Sequence, residues 1–132
     1  MQATEQITAC LEKSAELLGD ITPQVFARFF AQDAEAAALM QHSDPYMQGR
    51  MLSQTFELLM SDELLAPDGY LAWEIENHLQ AYGAKPSMYA AFFTAIETVL
   101  ATGMGEQWTA QDKRAWDDRV SQVMAQVSGH IS

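Results

Sequence analysis

Prolines and glycines divide this chain into segments of helical length, and no segment alternates between apolar and polar residues. Proline is common in the first turn of a helix, and glycine is common just after the last turn. Pro23, Pro45 and Pro86 therefore mark three helix starts. Gly19 and Gly83 mark two helix ends. Because β-branched residues are sparse as well, the pattern predicts an all-α protein without strands.

The apolar residues predict six or seven helices, because they recur at the spacing of a helical stripe. The predicted helices cover about residues 4–18, 22–31, 45–60, 70–81 and 86–103, with a short helical turn after residue 33 and a last helix after residue 109. We expect Thr22 to cap the second helix. Thr109 and Asp112 are expected to form a capping box at the last one. Gly103 and Gly105 are expected to end the longest helix.

Length and charge limit what such a protein binds. The chain has 132 residues, of which 48% are hydrophobic, so we expect one domain spanning residues 1–132 with a sizeable core. A formal net charge of −11 argues against nucleic acid and against anionic membrane surfaces as partners. Glu5 stands where a signal peptide carries basic residues, and Cys10 has no second cysteine to pair with. These features favour a cytoplasmic protein, with Cys10 buried.

Histidine is the residue type most relevant to possible chemistry. His42, His78 and His130 are isolated from one another, so no pair lies on one helix face to bind a metal ion. His78, however, lies on the apolar side of its helix with Leu71 and Ile75. It is either a buried histidine bonded to a backbone carbonyl or the axial ligand of a haem iron, which needs only one protein ligand.

The sequence around His78 resembles the globins. Residues 77–89 read NHLQAYGAKPSMY, and bacterial single-domain globins and the haem domain of flavohaemoglobins have a similar order of histidine, Tyr-Gly-x-Lys-Pro and an aromatic residue. Residues 21–30, ITPQVFARFF, are similar to the second helix of that family, and the resemblance extends over about residues 5–128. It implies a globin-like fold that holds haem b, iron protoporphyrin IX.

The resemblance also implies which residues surround the haem. His78 corresponds to the axial ligand of the iron, and Tyr89 to the aromatic residue that packs beneath that histidine. The positions on the opposite, distal side of the haem are Phe26, Met40, Gln48 and Leu52, with Leu52 over the iron. His42 either reaches a haem propionate or, as the favoured interpretation, is a solvent-exposed loop residue.

Three differences separate this chain from the family pattern. Met40 replaces a phenylalanine that stacks on the haem, and Phe26 replaces a tyrosine common in bacterial relatives. The separation between His78 and Tyr89 is 11 residues, one more than we expect, and an alignment without a gap places Leu79 at the ligand position. These differences leave open a haem-free, globin-like sensor or protein-interaction module. The residues expected to form its partner surface are Tyr70, Trp73, Met47, Met51, Met60 and Met88.

The function implied by the resemblance is reversible binding of a diatomic gas, O2, NO or CO, at an iron bound by His78. An enzyme is the less favoured interpretation. Dioxygenation of NO would require a separate reductase as partner, because the sequence contains no flavin or nicotinamide domain. A peroxidase would need a distal acid–base residue, and no distal histidine is evident. The resemblance also allows the protein to form a homodimer.

Overall fold

The computed structural model describes residues 3–61 and 85–129, and these residues form α-helices joined by short turns. The helices are α1 (Ala3–Leu18), α2 (Thr22–Gln32), α3 (Ala34–Leu39), α4 (Pro45–Met60), α5 (Pro86–Met104) and α6 (Ala110–Gly129), with a 3-10 turn at Gly105–Gln107. No strand occurs in the described part of the chain, so the all-α prediction is confirmed. None of its helices has the length and apolar character needed to cross a membrane. The predicted helix over 70–81 lies outside the described residues.

Aspartates begin the helices that flank the α3–α4 corner. The Asp33 carboxylate accepts a hydrogen bond from the backbone N–H of Ala36 at 2.9 Å. Asp44 accepts one from the backbone N–H of Met47 at 2.8 Å. Each bond satisfies one of the amide groups that lack a partner at a helix N-terminus. The corner between α3 and α4 therefore ends at a capped helix start.

The prediction that Thr22 caps α2 is wrong. The helix already includes Thr22, and the residue before it, Ile21, gives no side-chain cap. The Thr22 hydroxyl and backbone N–H both donate to Asp20 Oδ1, at 2.6 and 3.0 Å. These two hydrogen bonds lower the pKa of Asp20. The aspartate two residues upstream thus takes the role that the sequence pattern assigned to the threonine.

Gly103 does not end α5, which continues to Met104. A β-carbon at Gly103 would lie 2.9 Å from the Leu18 methyl groups, so the glycine gives room for the end of α1. Gly105 has a φ of +56° and is the residue that ends the helix, as expected of glycine in this backbone region.

The core is built around two pairs of helices. α1 packs against α6 and α4, α2 packs against α5 and α4, and α5 also packs against α6. The predicted stripes supply most of the buried side chains, which include Ile7, Leu11, Val25, Phe26, Phe29, Leu52, Leu59, Phe92, Phe93, Ile96, Leu100, Trp116, Val123 and Val127. α2 therefore forms a common surface on which both α4 and α5 rest.

A buried carboxylate joins α1 to the start of α6. Asp112 is fully buried and accepts hydrogen bonds from Gln6 Nε2 at 2.7 Å, Lys13 Nζ at 3.3 Å and the Thr109 backbone N–H at 3.0 Å. Its own N–H donates to the Thr109 hydroxyl at 3.1 Å, so the predicted capping box is present. Burial alone raises the pKa of Asp112, but the bonds from Thr109 and Gln6, aided by the Lys13 charge, bring it below the ordinary value.

This shift predicts an acid-dependent loss of stability. Because the folded-state pKa of Asp112 is lowered, its stabilisation is complete above the unfolded pKa of about 4 and disappears as the pH falls through the folded value. We expect Asp112→Asn to lower the melting temperature at pH 7 and to differ less from the wild type near pH 2. Thermal unfolding at both pH values checks this, with the exposed Asp118→Asn as control. A difference that stays constant with pH would contradict the assignment.

Cys10 is buried beside this carboxylate, as expected from the sequence. Burial and the charge of Asp112 raise the pKa of the Cys10 thiol to about 12, although the Lys13 charge acts in the opposite direction. The thiol therefore stays protonated at neutral pH, and a protonated thiol is a poor nucleophile. Cys10 is a packing residue of the α1–α6 interface.

Candidate functional site

Four phenylalanine rings fill the contact between α2 and α5. Phe26 is 2% exposed and lies with its ring centroid 5.4 Å from Phe92, 5.7 Å from Phe30 and 6.2 Å from Phe29. Phe29 also contacts Phe92, with centroids 5.1 Å apart. Tilted and edge-on pairs at these distances are favourable ring arrangements. Phe26, which the globin resemblance implies on the distal side of a haem, is thus packed among the rings of this aromatic cluster.

α4 crosses α2 at Gly49. A β-carbon at Gly49 would lie 3.9 Å from the Thr22 hydroxyl oxygen, which is an ordinary contact distance. Phe26 lies one helical turn beyond Thr22 on α2, and Gln48 is the residue before Gly49 on α4. The crossing therefore brings the α4 segment that contains Gln48 to the α2 segment that contains Phe26.

The side chain of Gln48 is held by the corner between α3 and α4. Its Nε2 donates to the Ser43 hydroxyl oxygen at 3.0 Å, and that hydroxyl donates to the Met40 carbonyl oxygen at 2.7 Å. All three residues are half-buried. We call this chain of two hydrogen bonds the corner latch.

Leu52 is 4% exposed and belongs to the main core. It also lies in the wall of an open groove of about 630 Å³ between α1 and α4, together with Leu11, Ser14 and Phe56. Gln48 is not among the residues of that groove. The two α4 residues that the globin resemblance implies on the distal side thus differ in surroundings. Gln48 bonds to Ser43 in the α3–α4 corner, whereas Leu52 also lines the groove beside α1.

The remaining predicted site residues differ in exposure. Met40 and Tyr89 are half-buried and pack against the main core. His42 is exposed, in the turn that follows Met40. Tyr46, which is not among the residues implied by the resemblance, begins α4 beside them and is 73% exposed. His78 and Leu79, the two residues considered for the iron ligand, lie outside the described residues.

Both ends of the segment that contains His78 are held by polar contacts. At one end, Arg119 on α6 is 2% exposed. Its Nε donates to the Leu59 carbonyl at 2.8 Å, and its NH2 group donates to the carbonyls of Leu58 and Ser61 at 3.3 and 3.1 Å. At the other end, Lys85 forms an ion pair with Glu35 of α3. The described residues on either side of 62–84 are therefore linked to α6 at one end and to α3 at the other.

Sequence reasoning missed Ser43 and Arg119. Ser43 directly precedes the N-cap Asp44 and accepts a hydrogen bond from Gln48 in the first turns of α4. Arg119 lies three residues after Trp116 and four before Val123, which is the spacing of the buried stripe. A charged residue at a stripe position is the signal that would have identified it.

The described side chains fit a haem by their chemistry. A haem needs apolar walls and, on its open side, few and well-placed hydrogen-bond donors. Phe26 and Leu52 supply buried apolar surface, Met40 and Tyr89 add half-buried surface, and Gln48 contributes an amide. The iron itself would depend on His78, which the structure does not describe.

Comparisons with known proteins agree with this architecture. The globin family model matches residues 20–127. Among solved structures, protein PA3967 of Pseudomonas aeruginosa PAO1, described as structurally highly homologous to a human hemoglobin, matches with a TM-score of 0.83. The match covers 98% of both chains at 17% identity, a level at which it establishes the fold alone. No curated protein gives a significant match. Because the family model covers most of the sequence, this chain belongs to the globin family.

Proposed function

We propose that this protein binds haem b through His78 and reversibly binds a diatomic gas, O2, NO or CO, on the side of Gln48. Haem, when bound, supplies an iron at which such a gas is held. The proposal rests on membership of the globin family. The observation that carries it is the crossing of α2 and α4 at Gly49, which brings the α4 segment of half-buried Gln48 to the α2 segment of buried Phe26.

The chain's own residues would determine how well each gas is held. Phe26 has no hydroxyl to donate, and its ring is packed among other rings in the aromatic cluster. Tyr46 is exposed and supplies no donor to the interior. The amide of Gln48 is then the donor left among these residues. We therefore expect modest affinity for O2, which gains from a hydrogen bond, or a preference for NO or CO.

A haem-free interaction module is the second candidate. Tyr46 and Met47 support it, because they are neighbouring side chains in the first turn of α4 with 73% and 54% of their surface exposed. Met88, considered for the same surface from the sequence, is buried in the core and cannot contribute. This candidate predicts that the purified protein takes up no haem.

Titration of the purified protein with hemin distinguishes the two candidates. We expect quenching of tryptophan fluorescence that saturates at one hemin per chain, because Trp108 and Trp116 pack against the same core as the proposed site. A Soret band should grow with the same stoichiometry and shift when CO is added to the reduced protein. Quenching without saturation, or without a defined Soret band, would contradict the proposed function.

A further inference from the structure

The corner latch fixes which atom of the Gln48 amide faces Ser43. A serine hydroxyl has one hydrogen, and Ser43 donates it to the Met40 carbonyl at 2.7 Å. Towards Gln48 the hydroxyl is therefore only an acceptor. It is the amide nitrogen of Gln48, at 3.0 Å, and not its oxygen, that faces Ser43.

The latch also fixes the direction of the amide along α4. Side chains on a helix lean towards its N-terminus, and Ser43 precedes the N-cap Asp44. Leu52 lies one turn beyond Gln48 in the opposite direction. The donating nitrogen of Gln48 is thus drawn towards the α3–α4 corner and away from Leu52, the residue that the globin resemblance places over the iron.

We propose that Ser43 is a positioning residue that holds the Gln48 amide nitrogen at the α3–α4 corner, out of reach of the bound gas, and so lowers the preference of this globin for O2 over CO. Bound O2 is polar and is stabilised by a donor, whereas CO gains little. The inference rests on the proposed function. The identities of Phe26 and Gln48 leave the choice between O2 and CO open. The contact of Ser43 with Gln48 would decide it.

The latch itself is tested in the haem-free protein by NMR of the Gln48 side-chain amide, assigned by its loss in Gln48→Leu. We expect Ser43→Ala to shift this signal and to speed its hydrogen exchange, whereas Ser43→Thr, which keeps a hydroxyl, should leave both close to the wild type. Ser53→Ala, an exposed serine on α4, is the matched control. An unchanged signal in Ser43→Ala would overturn the inference.

The effect of Ser43 on the preference for O2 over CO is tested in the haem-loaded protein. We expect Ser43→Ala to slow O2 dissociation about three- to tenfold, because the released amide can turn its nitrogen towards the gas and gain one hydrogen bond to it. CO dissociation should change by less than about twofold, and the effect on O2 should vanish in a Gln48→Leu background. Ser43→Thr should retain the wild-type O2 rate.

The two measurements separate the possible failures. An unchanged or faster O2 dissociation in Ser43→Ala, with the NMR shift present, would show that the latch exists but does not withhold the donor, which overturns the inference alone. Absence of haem uptake by the wild type would overturn the proposed function and this inference with it, and the NMR result would still report on the latch.

Discussion

Replacing Arg119 with methionine is expected to lower the free energy of unfolding by about 2–4 kcal/mol. Methionine keeps much of the length and the apolar contacts of the arginine but removes its hydrogen bonds. The carbonyl groups of Leu58, Leu59 and Ser61 would lose the donors that satisfy them at the end of α4. Buried carbonyls without partners are costly, and each bond to a charged donor is worth more than a neutral one.

The same change should also weaken hemin binding. Arg119 holds the last residues of α4, and the segment that contains His78 follows directly after Ser61. Arg119→Lys should lose less stability than Arg119→Met, because a lysine ammonium can satisfy one or two of these carbonyls but lacks the planar fork of arginine.

Urea denaturation of Arg119→Met and Arg119→Lys measures the loss in the free energy of unfolding. Arg114→Met, on the exposed side of the same helix, is the matched control and should change stability by less than about 0.5 kcal/mol. If Arg119→Met were as stable as Arg114→Met, the anchoring role of Arg119 would be rejected.

Phe26→Ala is expected to lower the free energy of unfolding by about 3–5 kcal/mol. Phe26 is 2% exposed and contacts Phe29, Phe30 and Phe92, so its removal leaves a cavity that neighbouring rings cannot easily fill. The cavity would also loosen the contact between α2 and α5, on which the proposed haem site rests.

Phe30→Ala is the control for this prediction. Phe30 is on the same helix and contacts Phe26 and Phe29, but it is half-buried, so water can fill part of the space that its ring leaves. We expect a clearly smaller loss of stability for Phe30→Ala, measured by urea denaturation under the same conditions. Equal losses of unfolding free energy in Phe26→Ala and Phe30→Ala would contradict the larger contribution of Phe26.

Most of the fold could be predicted from local signals, because helix starts and stripes depend on nearby residues. Pro45 and Pro86 begin α4 and α5 as predicted. The predictions of helix ends failed where a distant or competing contact determines the role of the residue. Thr22 does not cap α2 because Asp20 engages its hydroxyl. Gly103 does not end α5 because its role is to admit Leu18 of α1.

The site was less predictable than the fold. Family resemblance supplied Phe26, Met40 and Gln48 as candidates, but the hydrogen bond from Gln48 to Ser43 depends on the path of the turn between α3 and α4. No periodic pattern encodes such a turn. Arg119 was missed for another reason, since its partners are backbone carbonyls that no sequence motif identifies.

The central claim is that a haem is held through His78, and the absorption spectrum of hemin-loaded protein tests it most directly. The wild type, His78→Ala and the exposed-histidine control His42→Ala would be loaded and measured side by side. We predict that the wild type and His42→Ala show the same Soret band and that His78→Ala loses the spectrum of histidine-ligated haem. An unchanged spectrum in His78→Ala, or no Soret band in the wild type, would contradict the account.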